Sequence, residues 1–364
     1  MGRLSLSGKT EKKGKAFKIA GIVLLSVCGI ILLAGAAGFI YEKAGEAADA
    51  KAYPPTGTLY DVGEGIRLNL VSTGTAPEGV PTVVIEAGMG DSAAVWQRVA
   101  SLVASRTRVI TYDRAGLGYS SYDPKPRDAQ RIAVQLHSLL GAAGITGPIV
   151  LAGHSIGGIY VRKYYGLFPE NIVAMVLLDS SHPDQMKRMP PDILKWQDEE
   201  IGALSKIVPL AEFGIVRLQK PEAMGISAPD GLSEKEKKGF IATSIRPSYF
   251  RTSIAEFKAV DADYEEVRTI NSFGDIPLVV MSNGLGQADT GALPPGVSKE
   301  SFEKMNASWQ DMQKDFLAFS PKSVHLFAEH SHHNIQSEEP EAAARALETA
   351  LDMAADSHGT AAGK

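Results

Sequence analysis

Seven short runs rich in apolar residues punctuate the chain: Leu68–Ser72, Thr82–Ala87, Arg108–Tyr112, Ile149–Ala152, Val173–Leu178, Ile276–Met281 and Val324–Phe327. The central ones, such as IVLA and VAMVLL, are apolar at every position rather than at every second one. A strand with that pattern needs cover on both faces, as in a parallel sheet held between helical layers. Longer amphipathic segments lie between them: Ser92–Ser105, Ala129–Ala143, Ile156–Phe168, Lys299–Phe319 and Pro340–Ala354 read as helices. Strand–helix–strand alternation with right-handed crossovers predicts an α/β fold with a mostly parallel, doubly wound sheet.

One stretch departs from this rhythm. Between Ser180 and Asp275 no strand pattern appears, only charged amphipathic pieces such as LSEKEKKGFIATSI and TSIAEFKAVDADYEEVRTI. Such a stretch is too long for an ordinary loop. It reads as a helical cap, residues 180–275, over the carboxyl ends of the strands, where sheets of this kind hold their ligands. The sheet domain is then built from residues 57–179 and 276–355, with a flexible tail at 356–364.

The N-terminus has a different character. Residues 1–18 carry six bases and one acid, and Ile19–Tyr41 (IAGIVLLSVCGIILLAGAAGFIY) carry no charge. As a helix, that run spans about 34 Å, against roughly 30 Å of bilayer hydrocarbon. Bases before it and mixed charges after it predict a single-pass anchor in the cell membrane, basic tip inside and body outside. A cleaved signal peptide is the competing reading, since Ala34-Gly35-Ala36 resembles a small-residue cleavage site. Residues 42–56, small, charged and proline-ended, read as a linker.

The basic tip of +5 on a chain whose net charge is −5 leaves the remainder at about −10. That acidic body argues against nucleic acid as a partner. A composition 44% hydrophobic and 22% charged excludes a disordered or collagen-like chain. The single cysteine, Cys28, lies inside the apolar run. The body therefore has no disulfide, cysteine nucleophile or cysteine metal site.

Gly153-His154-Ser155-Ile156-Gly157 fits G-x-S-x-G, with the strand pattern PIVLA before it and the helix pattern IGGIYVRKYYGLF after it. A sharp strand–turn–helix projects the serine hydroxyl above the sheet, and Gly153 and Gly157 avoid collisions with neighbouring backbone. Unpaired amides at the helix start favour negative charge beside Ser155.

The motifs VVIEAGMGDSAAVW, VITYDRAGLGYSSYD, IVLAGHSIGGIYVRKY, VAMVLLDSSHPDQ and HSHHNIQ follow one another in the order of the α/β-hydrolase superfamily. Residues 57–355 resemble that superfamily, and more narrowly its capped bacterial members. The resemblance implies an α/β-hydrolase fold with a cap inserted after the sixth strand, a serine nucleophile at Ser155, and an oxyanion hole. One oxyanion donor is then the Ile156 amide. The other is the Met89 amide, where the family's H-G-x reads Ala87-Gly88-Met89.

The base that takes the serine proton is sought among eight histidines. His137 and His325 fall in regular elements, His358 in the tail, and His154 inside the elbow, pointing away from the site. That leaves His182, His330, His332 and His333, of which His333 best matches the superfamily's position after the last strand. A metal reading of H-S-H-H needs further acid or cysteine ligands, and the expectation is no metal. The superfamily places its acid after the sixth or the seventh strand. Asp179 occupies the first position and Asp289 lies near the second. Asp179 is preferred because it directly ends a strand, with Asp289 as the alternative.

The expected activity is carboxylic ester hydrolysis by a Ser-His-Asp triad, with no cofactor, on a small-molecule or lipid-like ester. Acyl transfer, lipase or amidase activity, or ligand binding without turnover, are the alternatives that the same residues leave open. Nothing in the sequence sets an oligomeric state.

Overall fold

The computed structural model describes residues 7–286 and 293–359. Eight strands form one sheet: β1 (Thr58–Asp61), β2 (Arg67–Thr73), β3 (Thr82–Glu86), β4 (Val109–Tyr112), β5 (Ile149–His154), β6 (Ile172–Leu178), β7 (Leu278–Asn283) and β8 (Ser323–Ala328). Their order is β1-β2-β4-β3-β5-β6-β7-β8. The pairs β1·β2 and β2·β4 are antiparallel and the rest are parallel. The expected mostly parallel sheet is therefore present. Strand β1 has no counterpart in the sequence reading, because TLYD is a short, half-exposed edge strand without an apolar run.

Eleven α-helices accompany the sheet among the described residues. They are α1 (Ser7–Ala52), α2 (Gln97–Val103), α3 (Ala129–Ala142), α4 (Gly157–Leu167), α5 (Gln185–Arg188), α6 (Pro191–Glu212), α7 (Glu234–Ser244), α8 (Pro247–Val267), α9 (Lys299–Asp315), α10 (Ile335–Glu338) and α11 (Pro340–Gly359). The fully apolar strands are apolar because they serve two cores. On one face Val83, Ile85, Val150 and Ala152 pack with Trp96, Val99 and Leu347 of the α2/α11 layer. On the other, Val84, Ile149 and Leu151 pack with Leu136 and Val161 of the α3/α4 layer.

Helix α1 is long and apolar enough to cross a membrane, and its most apolar stretch is not buried against the rest of the chain. It also corrects the linker assigned to residues 42–56, since the helix continues unbroken to Ala52. EKAGEAADAKA is rich in good helix formers. In addition, Arg217 forks onto Glu42 (2.8 and 2.9 Å) and reaches Asp49 at 2.5 Å, tying this part of α1 to the body. Likewise α11 runs on to Gly359, into the segment read as a tail.

Between β6 and β7 the described chain is helical, α5 to α8 with two 3₁₀ turns, and it covers the carboxyl edge of the sheet. Helix α8 is fastened to the core in two buried places. Its Glu256 meets Arg114, and its Asp263 accepts the Ala129 N–H at the start of α3 (2.8 Å). The second oxygen of Asp263 has no hydrogen-bond partner, and burial pushes its carboxyl up to about 7. A raised carboxyl favours the folded state only while protonated, so its contribution is present below about pH 4 and is lost as pH rises through 7. Asp263→Asn is therefore expected to raise the thermal midpoint at pH 8 and leave it unchanged at pH 4, as read by circular dichroism melts.

Candidate active site

Strand β5 ends in the turn that carries Ser155, which sits at φ 55° in the left-handed region. A non-glycine residue there costs on the order of 1–3 kcal/mol and persists only where the surroundings enforce it. Neighbouring backbone does so: Ser155 N–H donates to the Leu178 carbonyl (3.2 Å), and its own carbonyl accepts from Ser181 (2.9 Å) and Gly158 (3.0 Å). A Cβ at Gly153 would lie 2.6 Å from the Gly157 carbonyl oxygen, and one at Gly157 would lie 2.5 Å from that of Glu86. Both elbow glycines are thus demanded by close backbone approach.

The Ser155 hydroxyl is 3.0 Å from His333 Nε2, and His333 Nδ1 is 2.6 Å from Asp179 Oδ2. The structure brings together these three residues, which lie far apart in sequence. Asp179 follows β6 directly, at φ 42° and fully buried. Burial pushes its carboxyl up, but hydrogen bonds from His333, Asn283 and Trp309 outweigh this and hold it below the usual carboxylate range. Asn283 Nδ2 donates to Oδ2 at 2.8 Å, and Asn283 N–H (3.2 Å) and Trp309 Nε1–H (2.9 Å) donate to Oδ1. The Trp309 ring also stands edge-on to His333, with centroids 5.5 Å apart. Sequence reading missed both supporters. Asn283 ends β7, close to the superfamily's alternative acid position, and Trp309 lies on a helix that shows no outward sign of its role. Asp289 lies outside the described residues.

The other candidate histidines are elsewhere. His332 pairs with Glu338 (2.9 Å), and His182 accepts from Asp184 N–H (3.0 Å) while burial lowers its pKa to about 4. His154 requires a correction: it points toward the site, not away. Its Nε2–H donates to the His333 carbonyl (2.9 Å) and its ring lies 4.8 Å from that of His333. Burial and the neighbouring His333 push its pKa down to about 3. A neutral ring with Nε2–H donating and Nδ1 bare is the consistent tautomer. His154 therefore holds the backbone of His333 from behind.

The loop after β3 supplies the Met89 amide. Among the described residues the Met89 and Ile156 N–H groups meet no protein acceptor, and both residues line the cavity that contains Ser155 and His333. Arg114 fixes this loop. It donates to the Ala87 (2.8 Å) and Gly88 (2.7 Å) carbonyls, to Glu86 (2.8 Å), and to both oxygens of Glu256 (2.7 and 2.9 Å). The YDRAGLGYS motif has a structural basis. Asp113 accepts from Ala93 N–H (2.7 Å), Tyr119 N–H (2.9 Å) and Asn69 Nδ2 (2.9 Å), closing the turn that presents Arg114. Asp91, behind the same loop, has its carboxyl pushed up to about 6 by burial.

The cavity holds about 480 Å³. Its walls are mainly apolar: Met186 and Trp196 from one side of the cap, Phe257 and Val260 from α8, and Phe302 and Met305 from α9. The α9 wall lies outside the segment read as the cap.

Residues 83–346 match the alpha/beta hydrolase family, and the chain belongs to that family. It is 29% identical over 171 residues to the uncharacterized protein YbdG of Bacillus subtilis (strain 168), a match covering 46% of this chain and 51% of that one. The matches span only 20% and 51% of the lengths of the first two curated relatives. Among solved structures, a thermophilic esterase from Thermogutta terrifontis shares the fold at 18% identity and TM-score 0.54, covering 82% of this chain and 98% of that one. A Pseudomonas aeruginosa protein named for epoxide hydrolysis does so at 13% identity and TM-score 0.61, covering 84% and 98%.

Removing Arg114 would strand two buried carboxylates. Arg114→Met is expected to cost about 3–5 kcal/mol and to lower the thermal midpoint by roughly 5–10 °C. Arg114→Lys should recover little of this, because an ammonium offers three donors where the site uses five.

Proposed function

We propose that this protein is a membrane-anchored serine hydrolase that cleaves carboxylic esters through an acyl-enzyme. The observation that carries the reading is the unbroken chain Ser155 Oγ, His333 Nε2, His333 Nδ1, Asp179, at 3.0 and 2.6 Å. His333 takes the hydroxyl proton as Ser155 attacks the ester carbonyl, and the imidazolium that forms is stabilised by ionised Asp179. The Met89 and Ile156 amides receive the oxyanion. His333 then returns the proton to the departing alkoxide, which leaves as the alcohol. A water molecule, deprotonated by the same imidazole, releases the acid and restores Ser155.

Further support comes from the cavity. About 480 Å³ with largely apolar and aromatic walls suits a medium-sized acyl or aromatic ester. Epoxide and dehalogenation chemistry in this fold attacks with an aspartate, whereas this elbow carries serine. The anchor is helix α1 through residues 19–41, with the basic tip inside and the hydrolase body outside the cytoplasmic membrane.

Ser155→Ala should abolish hydrolysis of p-nitrophenyl esters and labelling by a fluorophosphonate, while the protein melts as before. Retained labelling would overturn the nucleophile. For the acid, Asp179→Asn should slow ester turnover by on the order of 10²–10⁴-fold, and Asp289→Asn should leave it unchanged. The opposite pattern in steady-state rates would move the acid to the second position.

A further inference from the structure

The junction between α1 and the cap is a close-packed contact on one face of the helix. Gly35, Gly38, Glu42, Gly45 and Asp49 recur at helical spacing along that face. A Cβ at Gly35 would touch the Phe213 ring at 3.6 Å, and a Cβ at Gly38 would meet the Phe213 backbone. Gly214, at φ 71°, turns the cap chain against the Tyr41 ring and the Gly38 carbonyl. One helical turn further out, Arg217 clasps Glu42, which is fully buried, and Asp49.

These contacts set a depth. The charge-free run ends at Tyr41, so Gly38 and Gly35 lie about 4.5 and 9 Å inside its outer end. Phe213 therefore sits alongside α1 within the apolar span. Around it the cap exposes apolar side chains that a water-facing corner would not favour: Leu210 (43%), Phe213 (43%), Ile215 (41%) and Leu218 (70%). The one charge between Phe213 and Leu218, Arg217, is neutralised by the pair on α1. Lys220, exposed just beyond, can extend its ammonium to phosphate headgroups.

We propose that the corner of the cap formed by the end of α6 and the turn through Leu218 is a second membrane contact. Leu210, Phe213, Ile215 and Leu218 enter the headgroup–acyl boundary of the leaflet from which α1 emerges. This rests on reading α1 as a membrane anchor. The body is then held to the bilayer at two adjoining points, in a set orientation, rather than suspended on a flexible linker.

The full chain offers its own ruler, because Cys28 is the only cysteine and lies exposed in the middle of the span. A polarity-sensitive fluorophore is attached in three proteins: at native Cys28, at Leu218→Cys, and at Lys322→Cys, the last two in a Cys28→Ala background. Lys322 is exposed at the opposite end of the sheet from the cap. Each is reconstituted into phosphatidylcholine vesicles containing lipids spin-labelled at a shallow or a deep acyl position. The expected result is strongest quenching by deep labels at position 28, blue-shifted emission with stronger quenching by shallow labels at 218, and no quenching at 322. Quenching at 28 with none at 218 overturns the second contact and spares the anchor. No quenching at 28 overturns the anchor, and the docking surface with it.

Discussion

A single buried guanidinium sets the relation between sheet, loop and cap. All five N–H donors of Arg114 are used: one toward Glu86 at the end of β3, two toward carbonyls of the following loop, and two toward Glu256 on α8. Any shift of α8 away from the sheet would leave buried charge unpaired, at a cost of several kcal/mol. Met89 directly follows the two carbonyls that Arg114 holds. The donor proposed for the oxyanion is thereby positioned through the cap as well as through the sheet. Only a planar fork with fixed donor directions can serve three elements at once.

Backbone strain gathers at the carboxyl edge of the sheet. Besides Glu64 in a surface turn, Ser155 and Asp179 are the non-glycine residues with positive φ among those described, and they follow adjacent parallel strands. Each is held by its neighbour: Ser155 N–H by the Leu178 carbonyl, and Asp179 N–H by the Met281 carbonyl of β7 (2.7 Å). The sheet ladder thus bears the strain, and the serine hydroxyl and carboxylate project toward the His333 that arrives from the loop after β8.

The legibility of the sequence divides along physical lines. Two-sided burial leaves a one-dimensional mark, so the central strands and the G-x-S-x-G turn were readable from local pattern. That His333 and Asp179 lie beside Ser155 could be expected only through the resemblance, since their placement depends on strand order. What escaped was what packing alone determines. Asn283 and Trp309 act on Asp179 only because β7 and α9 converge there, and nothing in SNG or ASWQ declares it. The direction of the His154 ring is likewise set by packing, since it turns beneath the His333 loop and meets a carbonyl 179 residues later in the chain. The segment after Tyr41 looks like a linker because it is small, charged and proline-ended. Its Glu42 is in fact buried against Arg217, some 175 residues later in the chain.

The end of β7 bears directly on Asp179. At the end of β7 this chain has Asn283, whose side chain and backbone N–H both donate to Asp179. A carboxylate in that place would confront Asp179 as a like charge in a buried setting, and one of the two would have to take up a proton. An asparagine there is instead a support for Asp179. Trp309 supplies a further donor, and together these hydrogen bonds outweigh the burial that would raise the Asp179 carboxyl. On the proposed reading the acid after β6 is thus ionised before any substrate arrives, which is the state needed to stabilise an imidazolium on His333. The same donors restrain Asp179 from rotating away, and the 2.6 Å bond fixes which nitrogen of His333 faces Ser155.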